Sequence, residues 1–406
     1  MELADEFAIR SLCLPSSSEA VKEFKRIGVE PEGIARMLPK LAHLSLLVPD
    51  VRSAAANILK QEMLSLGGDA AVARGTVACL VNKTDVMLIG TRKQLSALSK
   101  KLVGQPFGLT SLAIKIEQIL INIEQPVRNW HTSKRVLSLE KPLIMGILNV
   151  TPDSFSDGGC FHDVSKAVEH ALQMADEGAD IIDLGGESTR PGACSVQSDE
   201  EISRILPVID ALTNRLSIPL SVDTWKSQVA DAALNAGAEI INDISGLSFD
   251  AAMPETAAKH QAGLVLMHTR GRPQDMQQNT DYADLMGEIS LYLHKASAKA
   301  LSAGVAANRI ALDPGIGFAK DLDGNLEILR RLPELESLCY PLLVGTSRKS
   351  FIGKTLKRKE TADRLFGTAA TVALAVASGA RILRVHDVKA MKDVALMAHA
   401  IINPPS

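Results

Sequence analysis

The sequence predicts an α/β protein: a (β/α)8 TIM barrel preceded by a small α/β N-terminal domain. Three observations carry this. Past residue 141, eight short apolar runs alternate with helical stretches. The runs are rich in Val, Ile and Leu and barely alternate, as strands covered on both faces require. Eight units over roughly 260 residues fit a closed barrel, and strand–helix alternation implies parallel pairing through right-handed crossovers. An open doubly wound sheet is the competitor, disfavoured because no Gly-rich dinucleotide turn accompanies the strands.

The chain has 406 residues, enough for two domains. Apolar residues make up 46% and charged residues 22%, which excludes a disordered or fibrous chain. A net charge of −3 argues against general affinity for nucleic acid, and 3% aromatic residues leaves few platforms for stacking bases. Five cysteines, none closely spaced, suggest neither a zinc site nor a redox pair. The first twenty residues carry Glu2, Asp5 and Glu6 and no apolar core, so no secretory signal is expected. Ala369–Ser378, the most apolar stretch, is too short to span a bilayer. A soluble, cytoplasmic protein without membrane or nucleic-acid partners is expected.

Residues 1–125 read as the small α/β domain, of unassigned fold. Ser16 and Glu19 can cap a helix from Glu19 to Arg26. A strand is expected at Leu44–Val48, then a helix at Val51–Leu66 stopped by Gly67 and Gly68. Thr76–Val81 and Asp85–Gly90 could pair about a turn near Asn82–Thr84, followed by helices at Arg92–Leu102 and Ser111–Glu124. A structural or oligomer-forming role is the plainest expectation for this domain. Residues 126–141 are polar and basic and read as a linker.

The barrel occupies 142–406. Its strands are expected at Pro142–Val150, Ile181–Gly185, Pro219–Asp223, Ile240–Ile244, Gly263–His268, Ile310–Gly315, Pro341–Gly345 and Arg381–Val385. Helices are expected at Val164–Glu177, Asp199–Asn214 (opened by a Ser198/Glu201 capping box), Lys226–Asn235, Leu285–Ser302, Asn325–Leu332, Phe366–Ser378 and Val388–Ile401.

Barrel chemistry belongs at the C-terminal strand ends, and reactive side chains fall at nearly every one. Asn149, Glu187, Asp223, Asn242, Asp243, His268, Asp313, Lys349, Arg384 and His386 all sit at or just past a strand end. Such a series converging on one mouth reads as a functional site. Asp223, Asn242 and Asp313 suit a flat heterocycle with amino and lactam edges, since a carboxylate can accept two N–H bonds. Lys349 can donate to a ring oxygen or nitrogen. A salt bridge from Asp313 to Lys320 or Lys349 is the structural alternative. Arg384 offers phosphate a planar fork beside His386, and Asn149 offers a neutral oxygen to Mg²⁺ already carried by phosphates. His386 could instead cap a loop. Thr151–Gly159 and Gly185–Gly192 look like lids with glycine hinges, or rigid connecting turns.

Five motifs resemble those of the dihydropteroate synthases of the pterin-binding (β/α)8 family. They are Leu143-Ile-Met-Gly-Ile-Leu-Asn-Val-Thr-Pro-Asp-Ser-Phe-Ser-Asp-Gly-Gly159, Asp183-Leu-Gly-Gly-Glu-Ser-Thr-Arg-Pro-Gly192, Leu312-Asp-Pro-Gly-Ile-Gly-Phe318, Gly345-Thr-Ser-Arg-Lys-Ser350 and Arg384-Val-His386. The resemblance covers about residues 142–403. It implies a transferase that joins 6-hydroxymethyl-7,8-dihydropterin diphosphate to p-aminobenzoate and releases diphosphate. It implies that Asp223, Asn242, Met267, Asp313, Phe318 and Lys349 hold the pterin. Asn149, Arg384 and His386 would hold diphosphate, with Asn149 toward Mg²⁺. Phe155, Thr189, Arg190, Pro191 and Ser350 would shape the p-aminobenzoate site, and Asp157, Arg190, Lys349 and Arg384 would act in catalysis. Ala319 stands where the family frequently has glycine, and Thr269-Arg-Gly-Arg replaces a more common Met-Gln-Gly-Thr run. A homodimer is expected by resemblance, through Phe366–Ser378. The alternatives are a methyltetrahydrofolate-type methyltransferase domain of the same family, which would not need these loops, and a non-catalytic pterin-binding regulatory module.

Overall fold

The computed structural model describes residues 9–14, 16–150, 160–188, 192–193 and 195–403, with side chains of the helix Cys160–Asp176 described from 164 onward. It divides into two compact units, Met1–Glu124 and Gln125–Ser406.

The first unit carries a three-stranded antiparallel sheet in the order β1 (His43–Arg52), β3 (Lys83–Thr91), β2 (Asp69–Val72). Alternation buries Val86, Leu88 and Ala70 on one face, against Ala56, Leu59, Leu95, Leu98, Ile116 and Leu120 of three helices. Ser16 caps the helix Ser17–Ile27 by accepting from the Glu19 amide. A reciprocal Thr91/Gln94 box caps Arg92–Leu102.

The expected pairing of Thr76–Val81 with Asp85–Gly90 does not occur. The Thr76 hydroxyl ties back to the Ala73 carbonyl at 2.7 Å, and Asn57 takes the Thr76 carbonyl at 3.1 Å, which curls the segment into turns. The longer β1 takes β3 instead, because Leu46 and Val48 stand opposite Leu88 and Val86 and complete the buried face.

In the second unit eight parallel strands close a barrel in sequence order: β6 (Leu143–Asn149), β7 (Ile181–Gly185), β8 (Leu220–Asp223), β9 (Ile240–Asp243), β10 (Gly263–Met267), β11 (Ile310–Asp313), β12 (Leu342–Val344) and β13 (Ala380–Val385). The (β/α)8 expectation holds. Period-two alternation divides each strand between two environments. Ile144, Ile182, Val222, Ile241, Leu266, Leu312, Val344 and Leu383 belong to the large core shared with the surrounding helices. Met145, Ile181, Ile240, Val265, Ala311, Leu343 and Ile382 form a second core inside the barrel.

Trp130 joins that inner core. The stretch read as a linker forms a hairpin there, β4 (Asn129–His131) with β5 (Val136–Ser138). The Trp130 ring is fully buried, and its Nε1 donates to the Arg309 carbonyl at 2.9 Å. No helix among the described residues is long and apolar enough to cross a membrane.

The Ser198/Glu201 capping box is also corrected. Gln197 is the N-cap of Ser198–Thr213 without a side-chain cap bond, because the buried Glu201 carboxylate turns to Lys226. The Lys226–Asn235 helix starts one residue later, at Ser227.

Candidate active site

Two residues beyond four of the inner-core positions, the same faces turn polar. Ile181 is followed by Asp183, Ile240 by Asn242, Ala311 by Asp313 and Ile382 by Arg384. The barrel interior is therefore apolar at its N-terminal end and charged at its C-terminal mouth. Arg384 Nε donates to Asp183 Oδ2 at 2.6 Å, and its Nη2 donates to Asp223 Oδ2 at 2.7 Å. Asn242 Nδ2 reaches the same Asp183 oxygen at 3.0 Å. The other oxygens, Asp183 Oδ1 and Asp223 Oδ1, are buried and have no partner among the described residues. A buried acceptor left without a donor costs roughly 1–3 kcal/mol, so this floor is built for a ligand that donates.

Electrostatics follow from the crowding. Burial pushes Asp223 up to about 7, with Arg384 opposing and Asp183 adding to the rise. Burial also raises Asp313, with Lys349 the main opposing charge. Burial works against the Arg384 charge, but Asp183 and Asp223 more than offset it. Lys349 comes down to about 8 through burial, with Asp313 resisting.

Lys349 is the N-cap of the short helix Ser350–Leu356. Its ammonium bonds the Ile316 carbonyl and stands 5.0 Å over the Phe318 ring. Met267 pairs in register with Asp313 and packs in an apolar cluster with Trp225, Ile244, Phe249 and Phe318. A side chain at Gly315 (φ 71°) would put its Cβ 1.9 Å from the His268 carbonyl, so only glycine lets this loop return over the mouth. Ala319 also has a positive φ, 52°, a backbone region that favours glycine.

The mouth thus brings Asp223, Asn242, Met267, Asp313, Phe318, Lys349 and Arg384 together. Asn149 joins them: its register partner is Gly185, and a Cβ there would lie 3.4 Å from Asn149 Oδ1 and 3.8 Å from Asp223 Cβ. His386 lies one residue past β13, with Nδ1 3.0 Å from Ser347 Oγ, so it links two loops. Ser350 is exposed at the first turn of its helix. Phe155, Asp157, Thr189, Arg190 and Pro191 lie outside the described residues.

Asp313 forms no salt bridge within 4 Å among the described residues; one of its oxygens accepts the Gly315 amide at 2.7 Å. Lys320 turns away to His268 Nδ1 at 2.9 Å and the Phe318 carbonyl at 2.9 Å. Burial, with Lys320 and Arg270 adding, drives His268 down to about 2, so it stays neutral.

Sequence reasoning gave Asp183 no role. Its signal was a lone carboxylate inside the apolar run Ile181–Gly185, in phase with the inner core. It also passed over Arg348, whose Nε donates to Asp387 Oδ2 at 2.9 Å and ties the loops after β12 and β13 together.

A family model described as pterin binding enzyme matches residues 145–386, more than half the chain. The chain is a member of the dihydropteroate synthase family of pterin-binding enzymes. It is 50% identical over 262 residues to the dihydropteroate synthase of Synechocystis sp., covering 64% of this chain and 91% of that protein. It is 49% identical over 274 residues to the Bacillus subtilis dihydropteroate synthase, covering 67% and 93%. A solved structure of the Xanthomonas albilineans dihydropteroate synthase with 4-aminobenzoic acid is 42% identical and superposes with a TM-score of 0.65, covering 68% of this chain and 99% of that one. The family match falls within the second unit, where the barrel lies.

Proposed function

We propose that the barrel unit acts as a dihydropteroate synthase, a transferase, on 6-hydroxymethyl-7,8-dihydropterin diphosphate and p-aminobenzoate. One observation carries the reading: Asp183 Oδ1 and Asp223 Oδ1 are both buried with no donor among the described residues, on carboxylates bridged by the same Arg384. A 2-aminopterin presents adjacent N–H donors that such a floor accepts. Asn242 and Asp313 complete the edge contacts, Lys349 donates to the ring, and Met267 and Phe318 cover its faces.

In the reaction the arylamine nitrogen forms a bond to the pterin methylene carbon. The carbon–oxygen bond to diphosphate breaks, the electron pair leaves with oxygen, and the amine proton passes to solvent. Arg384 and His386 hold the leaving diphosphate in this reading, and the carboxylates stabilise positive character at the methylene. An arylamine is mostly neutral at pH 7, so no strong base is required. Holding the two reactants in line supplies the main part of the rate. Phe155, Asp157, Thr189, Arg190, Pro191 and Ser350 serve p-aminobenzoate.

Among the described residues no group of three His, Cys, Asp or Glu could hold a metal ion. Asn149 supplies one neutral oxygen, and the nearby carboxylates are engaged by Arg384. That donor set fits Mg²⁺ delivered on the diphosphate, which would neutralise the leaving group. We place the protein in the cytoplasm as a homodimer joined through the helix Leu365–Ala377, whose Phe366 and Leu374 are exposed in the single chain. Light scattering at micromolar concentration should give twice the chain mass.

The deciding experiment follows diphosphate release from dihydropterin diphosphate with Mg²⁺, with and without p-aminobenzoate. Release coupled to dihydropteroate formation is expected. Tight pterin binding without product would replace the synthase by a binding module.

A further inference from the structure

The loop after β7 leaves the strand at Gly186 and enters the helix Ser198–Thr213. Its two ends are held by an unusual group. Lys226, three residues past Asp223, places its ammonium 2.6 Å from Glu187 Oε2, 2.6 Å from Glu201 Oε2 and 2.6 Å from the Val196 carbonyl. Glu187 Oε1 accepts the Val196 amide at 3.0 Å. Both backbone groups of Val196 are thereby fastened to a residue at the loop's opposite end or to the lysine that holds it. Arg204 adds a bond to the Gly186 carbonyl at 2.8 Å. A Cβ at Gly186 would lie 2.8 Å from Ile205 and 2.9 Å from Glu201, so only glycine lets the loop start this close to the helix. Further along, the Gly192 amide donates to the Pro273 carbonyl at 3.0 Å, in the loop after β10.

Both carboxylates are almost wholly buried, and Lys226 nearly so. Two negative charges and one positive charge in such a place are a poor way to gain stability, since buried ion pairs roughly break even against apolar packing of the same volume. An ammonium does something an apolar side chain cannot. Its three donors hold three oxygens at once, those of Glu187, Val196 and Glu201. The group therefore serves geometry rather than stability, and the residues it holds, Glu187 and Val196, flank Thr189, Arg190 and Pro191 in sequence.

We infer that Lys226 is a positioning residue for the p-aminobenzoate loop: with Glu187 it clamps the two ends of residues 187–196. This inference rests on the reading that Thr189, Arg190 and Pro191 serve p-aminobenzoate. Lys226 follows the β8 end that carries Asp223, so the pterin floor and the base of this loop share one rigid frame.

The test uses the full chain with Lys226→Met, which keeps the stem and removes the ammonium, and Glu187→Gln, which keeps the volume and leaves Lys226 paired with Glu201. Lys226→Met should raise the KM for p-aminobenzoate roughly tenfold to a hundredfold, the order expected when a binding group is misplaced by about an ångström. Binding of dihydropterin diphosphate should stay within about twofold. Glu187→Gln should shift the same KM in the same direction by less, and it carries the test if Lys226→Met does not fold. Combining Lys226→Met with Arg190→Ala should add little to Arg190→Ala alone, because the lysine acts through the loop. Equal losses for both substrates, full additivity with Arg190→Ala, or an unchanged KM in folded variants would overturn the inference. Amide hydrogen exchange gives a readout that needs no turnover: Gly192 and Val196 should exchange at least tenfold faster in either variant while β8 and β9 stay protected. Unchanged exchange would refute the clamp itself. Wild-type enzyme that makes no dihydropteroate would instead refute the functional reading, with the exchange result still deciding the clamp.

Discussion

Arg384 and Asp183 meet at 2.6 Å on the barrel floor, joining β13 to β7, and the second arm of the guanidinium reaches Asp223. One cation thus neutralises two buried carboxylates while one oxygen of each remains unbonded among the described residues. The residue expected from sequence to hold phosphate also orients the two carboxylates proposed to accept the pterin.

Asp183→Asn tests that arrangement. The amide is isosteric, so the barrel should fold, but Arg384 loses one charged partner and the floor loses an acceptor. Affinity for dihydropterin diphosphate should fall roughly tenfold or more, about 1.4 kcal/mol per factor of ten. Arg384→Ala should do worse on two counts, weakening substrate diphosphate binding and lowering the melting temperature, because two buried carboxylates lose their cation. Calorimetric titration with parallel melts reads both effects. Unchanged pterin affinity in Asp183→Asn would remove Asp183 from the site.

The pH dependence of pterin binding follows from Asp223 and Lys349. Burial raises Asp223 to about 7, so below that value it carries a proton and loses one acceptor. Lys349 sheds its charge above about 8. Affinity should rise as pH climbs through about 7 and decline beyond about 8, and Asp223→Asn should abolish the acidic limb. Stability has the opposite sign on that limb. A raised folded-state pKa stabilises the fold below the ordinary carboxylate value of 3.8, and the contribution is lost as pH rises through about 7. Urea melts between pH 5 and 8 should therefore show stability from this group falling while pterin affinity rises.

Trp130→Ala separates scaffold from site. The ring fills the N-terminal end of the barrel, in the core layer below the charged mouth. Its loss should cost roughly 3–5 kcal/mol of stability. The KM values measured well below the new melting temperature should stay within about twofold. A selective rise in either KM would mean the lower layer shapes the mouth directly.

Phe155→Ala and Arg190→Ala should each raise the KM for p-aminobenzoate by more than they weaken pterin binding. Steady-state kinetics with each substrate varied in turn checks this. Equal effects on both substrates would sink the separation into two subsites.

How far the site was legible depended on the kind of signal. Asp223, Asn242 and Asp313 stand at the ends of apolar runs, and a strand end in a parallel barrel is a place of known chemistry. Asp183 stands two residues before the end of its strand, a lone carboxylate in an apolar run whose inward face is known only once the barrel has closed. With Ser198 read as the N-cap, Glu201 falls at N3, where local chemistry favours a capping box, but a buried ammonium attracts a carboxylate more strongly than a backbone amide does, and the cap moves to Gln197. Thr76–Val81 has the composition of a strand; its outcome was decided by β1, more than twenty residues away in sequence.

The sequence by itself determined the number and order of the barrel strands, seven of the helices between them and most of the residues gathered at the mouth, but not the short helices Met253–Lys259 and Ser350–Leu356 or Asp183. What it determined follows from periodicity and from what each residue type can do within a few positions of itself. Tertiary structure alone decided that Arg384 spans Asp183 and Asp223, that Lys226 clamps Glu187, Val196 and Glu201, and that Trp130 enters the barrel core. Each of those contacts joins groups dozens to hundreds of residues apart. Their partners are chosen by burial, where an unpaired charge or an unfilled volume is costly, and burial exists only once the chain has closed on itself.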